Sequence, residues 1–231
     1  MIMKRIMLSL LLSTSLLLNS CISQSVVNNR LITAKKSFVK IETWVQGCFE
    51  DRCTDYSLFS YGSGFVHIRK GKTYVISAEH VCVPSERMDS MSAQINVRHL
   101  LVDSNKQKYK ASIHKASKEL DICLMKFEED PGMPGLKLAK RRPQYTERIY
   151  NISSPLGISD GQMTPVFEGM YAGSSEGSDF YSMPTAPGAS GSPIINSNGE
   201  VVGVVLAVHR EFHHVTVSIK FENLWNYLIL P

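Results

Sequence analysis

The sequence predicts an all-β protein built in two halves, and two observations carry that reading. Its apolar residues fall in short runs rich in Val, Ile and aromatic side chains, separated by Gly, Asn, Asp and Lys turns. A connection containing Pro and Gly, Asp130 to Pro143, then divides these runs into two comparable sets. Many short strands in two halves describe a double barrel or a sandwich.

The N-terminus comes first. Met1 to Arg5 is a short basic start, Ile6 to Leu18 is an apolar run, and Asn19, Ser20 and Cys21 follow. This reads as a secretory signal over residues 1–20. Its apolar run covers about 20 Å as a helix, short of a bilayer core of about 30 Å. The end of the signal, Leu18-Asn19-Ser20-Cys21, resembles the bacterial lipoprotein box, which makes Cys21 the lipid-attachment residue. The expected mature protein is then tethered to a membrane of the bacterial envelope, or else secreted or periplasmic. Residues 21–37, rich in Ser, Asn and Lys, read as a polar tether leading to a folded part at 38–231.

In the first half, about 38–130, the β-like runs are Val39 to Val45, Gly64 to Ile68, Thr73 to Ser77, Gln94 to Val97, Leu100 to Val102 and Ile122 to Phe127. A linker over 131–143 leads to the second half, 144–220. There the candidate strands are Arg148 to Ile152, Val166 to Ala172, Phe180 to Met183, Ser192 to Asn196, Val201 to Val208 and Val215 to Ile219. Leu224, Trp225 and Leu228 have helical spacing, so a terminal helix is expected over 221–230.

The bulk numbers exclude some functions. With 231 residues, 43% hydrophobic and 20% charged, the chain can bury a sizeable core. Its net charge of +4 is mild, and the basic runs Lys140-Arg141-Arg142 and Lys106 to Lys110 lack interleaved aromatic residues. No nucleic-acid footprint is indicated. Apart from Cys21, four cysteines remain: Cys48, Cys53, Cys82 and Cys123. An even number in an exported chain favours disulfides. Cys48 and Cys53 bracket a polar stretch suited to a hairpin tip, which pairs them and leaves Cys82 with Cys123. Three connectivities and buried free thiols stay open at this stage.

The strongest chemical signal is Pro187-Gly188-Ala189-Ser190-Gly191-Ser192-Pro193. Glycines on both sides of one serine let the backbone bend sharply and aim its amides at a substrate oxygen. Alone, such a cluster reads as a turn. Its company changes that: Thr73 to Val81 is an apolar run ending on His80, and Asp121 opens the apolar run that follows it. The order His, Asp, Ser is that of the chymotrypsin class, not of subtilisins or α/β-hydrolases.

Over Phe38 to Leu230 the chain resembles the trypsin-like serine peptidases, nearest in flavour to bacterial glutamyl endopeptidases and the high-temperature-requirement family. The segments that carry the resemblance are GSGF at 62–65, VISAEHV at 75–81, LDICLMKF at 120–127, SSPLG at 153–157, GASGSP at 188–193 and GEVVGVV at 199–205. It implies two six-stranded antiparallel β-barrels with a C-terminal helix. It also implies a serine endopeptidase acting on protein or peptide substrates, with no cofactor and no metal. Ser190 would be the nucleophile, His80 the general base, and Asp121, buried beside His80, its orienting partner. The amides of Gly188 and Ser190 would form the oxyanion hole.

The resemblance places the base of the substrate pocket near Pro184 and Thr185, with Leu206, Ala207 and Val208 as one wall. No acidic residue sits where trypsins bind Lys or Arg, and Val205 replaces the histidine of glutamyl endopeptidases. Val208 narrows the pocket, favouring small aliphatic side chains. Ala189 replaces the aspartate that animal trypsins pair with a newly cut N-terminus, so that activation route is closed. Glu79 replaces the small residue common before the histidine, and Leu206 stands where a hydroxyl often supports the aspartate.

Rival residues read as structural. Asp103 lies in a polar turn, which predicts a solvated side chain, and His67, His99 and His114 have no nucleophile motif near them, so they read as surface or satisfied residues. His209, His213 and His214 fall in an expected hairpin, which lacks the helical spacing of zinc motifs. Neither Cys82 nor Cys123 has the flanks of a cysteine nucleophile. The reading from another class is a catalytically silent surface lipoprotein that uses this scaffold to bind a partner.

Overall fold

The structure is a computed structural model that describes residues 24–50, 52–83, 94–159, 163–209 and 212–229. The signal segment and the lipid-attachment residue Cys21 lie outside them. Helix α1 spans 24–35. The first half then holds β1 (Phe38–Phe49), β2 (Arg52–Cys53), β3 (Ser57–Arg69), β4 (Lys72–Ser77), the short helix α2 (Glu79–Cys82), β5 (Gln94–Val102), β6 (Lys108–Ser117) and β7 (Ile122–Phe127). Antiparallel pairing runs β1-β3-β4-β7-β6-β5, and β5 returns to β1 to close a six-stranded barrel. β2 extends only its edge.

The second half holds β8 (Arg148–Ile152), β9 (Val166–Ser175), β10 (Ser178–Ser182), β11 (Pro193–Asn196), β12 (Val201–His209) and β13 (Phe212–Ile219), followed by helix α3 (Phe221–Ile229). These strands close a second barrel in the order β10-β13-β12-β11-β8-β9. Closure pairs each barrel strand on both sides, which removes most of the usual liability of unpaired edge groups; β2 remains as a two-residue edge. The double barrel, not the sandwich, is the architecture.

Among the described residues, three apolar clusters hold it together. One fills the first barrel, with Val39, Ile41, Val66, Val75, Leu101 and Met125. Another fills the second, around Ile149, Tyr181, Met183 and Ile194. The third joins the barrels: Phe65, Ile76 and Leu124 meet Ile152, Ile195 and Val204, and Leu224 and Leu228 of α3 close over them. The buried Asp179 carboxylate accepts the Phe221 amide at 2.8 Å and so caps the start of α3. Disulfides join Cys48 to Cys53 across the β1–β2 hairpin and Cys82 to Cys123 across α2 and β7.

The structure departs from the sequence reading in three places. Residues 24–35, expected as tether, are helical because Val27, Leu31 and Ala34 lie on one face and pack against the inter-barrel cluster. Arg30 fastens the helix by donating to the Ser197 carbonyl and to Asn198 Oδ1 at 2.6 Å. The runs at 94–97 and 100–102 are one strand, β5, since Arg98 and His99 continue the ladder opposite Trp44 and Thr43. β6 was not expected at all. Its Lys, Ser and His side chains are largely exposed, and it is a strand because β5 and β7 flank it and take up its backbone groups.

Candidate active site

β4 ends at Ser77, where its ladder with β7 stops opposite Cys123. The chain then turns through Ala78 into α2, whose second residue is His80. Asp121 sits just before β7 at φ 48°, a left-handed conformation that an aspartate adopts more readily than most residues. This turn swings its carboxylate out of the ladder toward α2. His80 Nδ1 lies 2.9 Å from both Asp121 oxygens, and the His80 amide donates to Oδ1 at 3.1 Å. The carboxylate therefore grips both the ring and the backbone of the same histidine.

The expectation that Asp121 is buried is corrected. Its side chain is 32% exposed and that of His80 47%. The reason is the turn at Asp121, which sets the carboxylate at the barrel rim. Hydrogen bonding to Asp121 raises the His80 pKa above its ordinary value, with burial opposing and the charges of Asp121 and Glu79 assisting.

Ser190 reaches this rim from the second barrel. Gly191 behind it has φ 85°, and a Cβ there would collide with Ser77 Oγ and the Ser63 carbonyl and lie 2.8 Å from the Ala78 amide. Only glycine lets the loop press so closely on the segment leading to His80. The Ser190 hydroxyl donates to the Leu206 carbonyl at 3.3 Å, and no hydrogen bond joins it to His80 among the described residues. The structure thus unites His80 and Asp121 directly, and sets the Ser190 loop against Ser77 and Ala78, the segment leading to His80, with the Ser190 hydroxyl bonded to the Leu206 carbonyl.

Gly188 has φ 93°, and a Cβ there would crowd the Ser154 carbonyl and the Leu156 amide. Among the described residues the amides of Gly188 and Ser190 donate to no protein acceptor, whereas those of Ala189, Gly191 and Ser192 all do. Ala189 is fully buried and carries no charge. Of the residues expected at the pocket, Thr185 is tied to the His213 carbonyl through its amide, while its buried hydroxyl has no partner among the described residues. Pro184 is half-buried beside it. Ala207 pairs with Val217 and Val208 with Thr216 on β13, and Leu206 adjoins Ser190 through its carbonyl.

The rival residues are accounted for. The expectation of a solvated Asp103 is corrected: it is buried in its turn because the amides of Asn105 and Gln107 and the Tyr109 hydroxyl satisfy its carboxylate. His67 bonds the Leu136 carbonyl, and His99 lies 3.3 Å from Thr43 Oγ1 behind α2. His213 and His214 hold residues 183–185 through backbone carbonyls. Sequence reasoning missed Ser63, whose GSGF segment read only as an early strand.

The family described as trypsin-like peptidase domain matches residues 62–204, more than half of the chain. The chain belongs to the trypsin-like peptidase family. Among solved structures, 541 chains match it. The crystal structure of the serine endoprotease from Yersinia pestis has a TM-score of 0.67 and 16% identity, covering 87% of this chain. At that identity the likeness speaks for the fold, and the chain spans 64% of that protein's length. No curated protein sequence matches. The two barrels and the terminal helix are those of the trypsin-like peptidases. Among the described residues no helix is long and apolar enough to cross a membrane.

Proposed function

We propose that this trypsin-like peptidase is an exported serine endopeptidase working through an acyl-enzyme on Ser190. The observation that carries this reading is the two-point grip of Asp121 on His80, together with the amides of Gly188 and Ser190, which donate to no acceptor among the described residues. With Nδ1 of His80 facing the carboxylate, Nε2 is left for the nucleophile. The Ser190 hydroxyl leaves the Leu206 carbonyl, passes its proton to Nε2, and Oγ attacks the scissile carbonyl. The oxyanion forms against the amides of Gly188 and Ser190, and His80 then protonates the leaving amine. Water repeats the sequence on the acyl-enzyme and frees Ser190. Apo hydrogen bonds at such sites are often unformed until substrate binds, so the resting hydroxyl is compatible with this cycle.

Pro184, Thr185, Leu206, Ala207 and Val208 form the pocket for the residue before the scissile bond, with small aliphatic side chains preferred. Protein and peptide chains are the substrates. The signal at 1–20, the lipid site at Cys21 and two disulfides together support export and tethering to an envelope membrane. A silent binding module is the second reading, favoured by the Ser190–Leu206 hydrogen bond. Digestion of a proteome-derived peptide mixture decides: the wild-type chain generates new termini after small aliphatic residues and Ser190→Ala generates none. Absence of cleavage contradicts the peptidase. Cleavage after Lys, Arg or Glu contradicts only the pocket assignment.

A further inference from the structure

The loop that carries Ser190 belongs to the second barrel, yet Ser63 on β3 of the first barrel holds it. Ser63 is fully buried. Its hydroxyl donates to the Gly188 carbonyl at 2.8 Å and accepts the Ser154 amide at 3.0 Å. Its amide donates to the Ser190 carbonyl at 2.9 Å, and its carbonyl accepts the Ser77 hydroxyl at 2.7 Å. Every hydrogen-bonding group of this residue is used, and its partners all lie around the candidate nucleophile.

Peptide geometry shows what these bonds accomplish. The described peptides are trans, so each N–H points away from the carbonyl preceding it. The Leu156 amide holds the Pro187 carbonyl at 2.6 Å, and the Ser192 amide holds the Ala189 carbonyl at 3.0 Å. Those two bonds turn the Gly188 and Ser190 amides the other way, where neither meets an acceptor among the described residues. The Gly188 carbonyl lies between them, in a peptide held at both ends: the Ala189 amide donates to the Ala186 carbonyl at 3.0 Å, and Ser63 Oγ, from the other barrel, ties the carbonyl itself. Ser63 also steadies Leu156 indirectly through Ser154, and Leu156 needs steadying because it sits at φ 54°, a costly conformation for a leucine. The buried, uncharged Ala189 supplies no ionic tie to the loop.

We propose that Ser63 is a positioning residue for the oxyanion-binding amides, locking the 187–191 loop in its receptive shape without an ion pair or a prior cleavage. This rests on the peptidase reading above. A peptidyl trifluoromethyl ketone tests it: Ser190 Oγ bonds the ketone carbon, the Ser190 proton passes to His80, and the ketone oxygen becomes the anion that the two amides bind. Alkylation of His80 by a haloacetamide needs no such anion and reports on the histidine alone.

For Ser63→Ala the ketone inhibition constant rises about 10–100-fold and kcat falls by a similar factor, with KM within about twofold, since loss of one oxyanion donor outright costs about 10²–10³. The rate and pH midpoint of His80 alkylation stay at wild-type values. Ser63→Cys, close in shape but a weaker donor, falls between the two and serves if the alanine variant does not fold. Unchanged inhibition and kcat overturn the proposal, as does a loss of His80 alkylation in step with kcat. Unfolding of both variants also overturns it, leaving Ser63 an architectural residue. A wild-type chain that neither hydrolyses peptides nor forms the adduct contradicts the peptidase reading itself, whereas an active wild type with an unaffected Ser63→Ala contradicts Ser63 alone.

Discussion

Cys82 and Cys123 join covalently the two segments that carry His80 and Asp121, each cysteine lying two residues beyond its charged neighbour. The β4–β7 ladder ends at Ser77 and Cys123, so past that point this bond is the main tie between α2 and β7 other than the Asp121 grip. It closes a separation of 41 residues, against 5 for Cys48–Cys53. Loop-closure entropy gives about 4 kcal/mol for the first and about 2 kcal/mol for the second. Replacing Cys82 and Cys123 by alanine is expected to lower both unfolding free energy and kcat. Replacing Cys48 and Cys53 lowers stability less and leaves kcat near wild type. Denaturant unfolding alongside peptide hydrolysis checks both.

The acid limb of kcat/KM against pH should have its midpoint above the ordinary histidine value of about 6.5, because bonding to Asp121 raises the His80 pKa and only neutral His80 accepts the serine proton. The sign for stability is opposite. A raised folded-state pKa means that the pair contributes fully below the unfolded pKa and loses its contribution as pH rises through the folded value. With both side chains well exposed that contribution is small. A midpoint at or below 6.5 contradicts the assignment of His80 as base.

Asp121 and Asp103 should separate cleanly. Asp121→Asn is expected to reduce kcat by about 10⁴-fold, since an amide favours the wrong histidine tautomer, with little change in melting temperature. Asp103→Ala should leave kcat per folded molecule unchanged while costing about 1–3 kcal/mol, because the amides of Asn105 and Gln107 lose their acceptor. Steady-state kinetics with thermal unfolding on both variants tests the pair, and an inactive, folded Asp103→Ala would reverse the assignment.

Helix α1 is expected to be part of the folded domain. Leu31→Ala should cost about 1–3 kcal/mol, less than the 2–5 kcal/mol typical of a fully buried leucine. Ile32→Ala, on the exposed side of the same helix, should cost about 0.5 kcal/mol or less. Chemical denaturation distinguishes them, and equal, negligible effects would restore the tether.

Much of this molecule was legible in its sequence. The all-β, two-barrel architecture follows from strand punctuation, and the proposed triad rests on the segments around His80, Asp121 and Ser190. What escaped did so for physical reasons. β6 carries charged and polar side chains on both faces, so its strand character comes from β5 and β7 rather than from its own pattern. α1 was hidden by its Ser, Asn and Lys residues, although Val27, Leu31 and Ala34 already had helical spacing. Ser63 was hidden because its partners are 91 to 127 residues away in sequence, or come from a neighbouring strand, and no local signal reports such contacts.

Ser190 as nucleophile is the claim on which the rest depends, and intact-mass analysis after treatment with a fluorophosphonate tests it most directly. The account predicts a single adduct on the folded wild-type chain, mapped to Ser190 and absent from Ser190→Ala. An unlabelled but folded wild type, or an adduct that persists in Ser190→Ala, would contradict it.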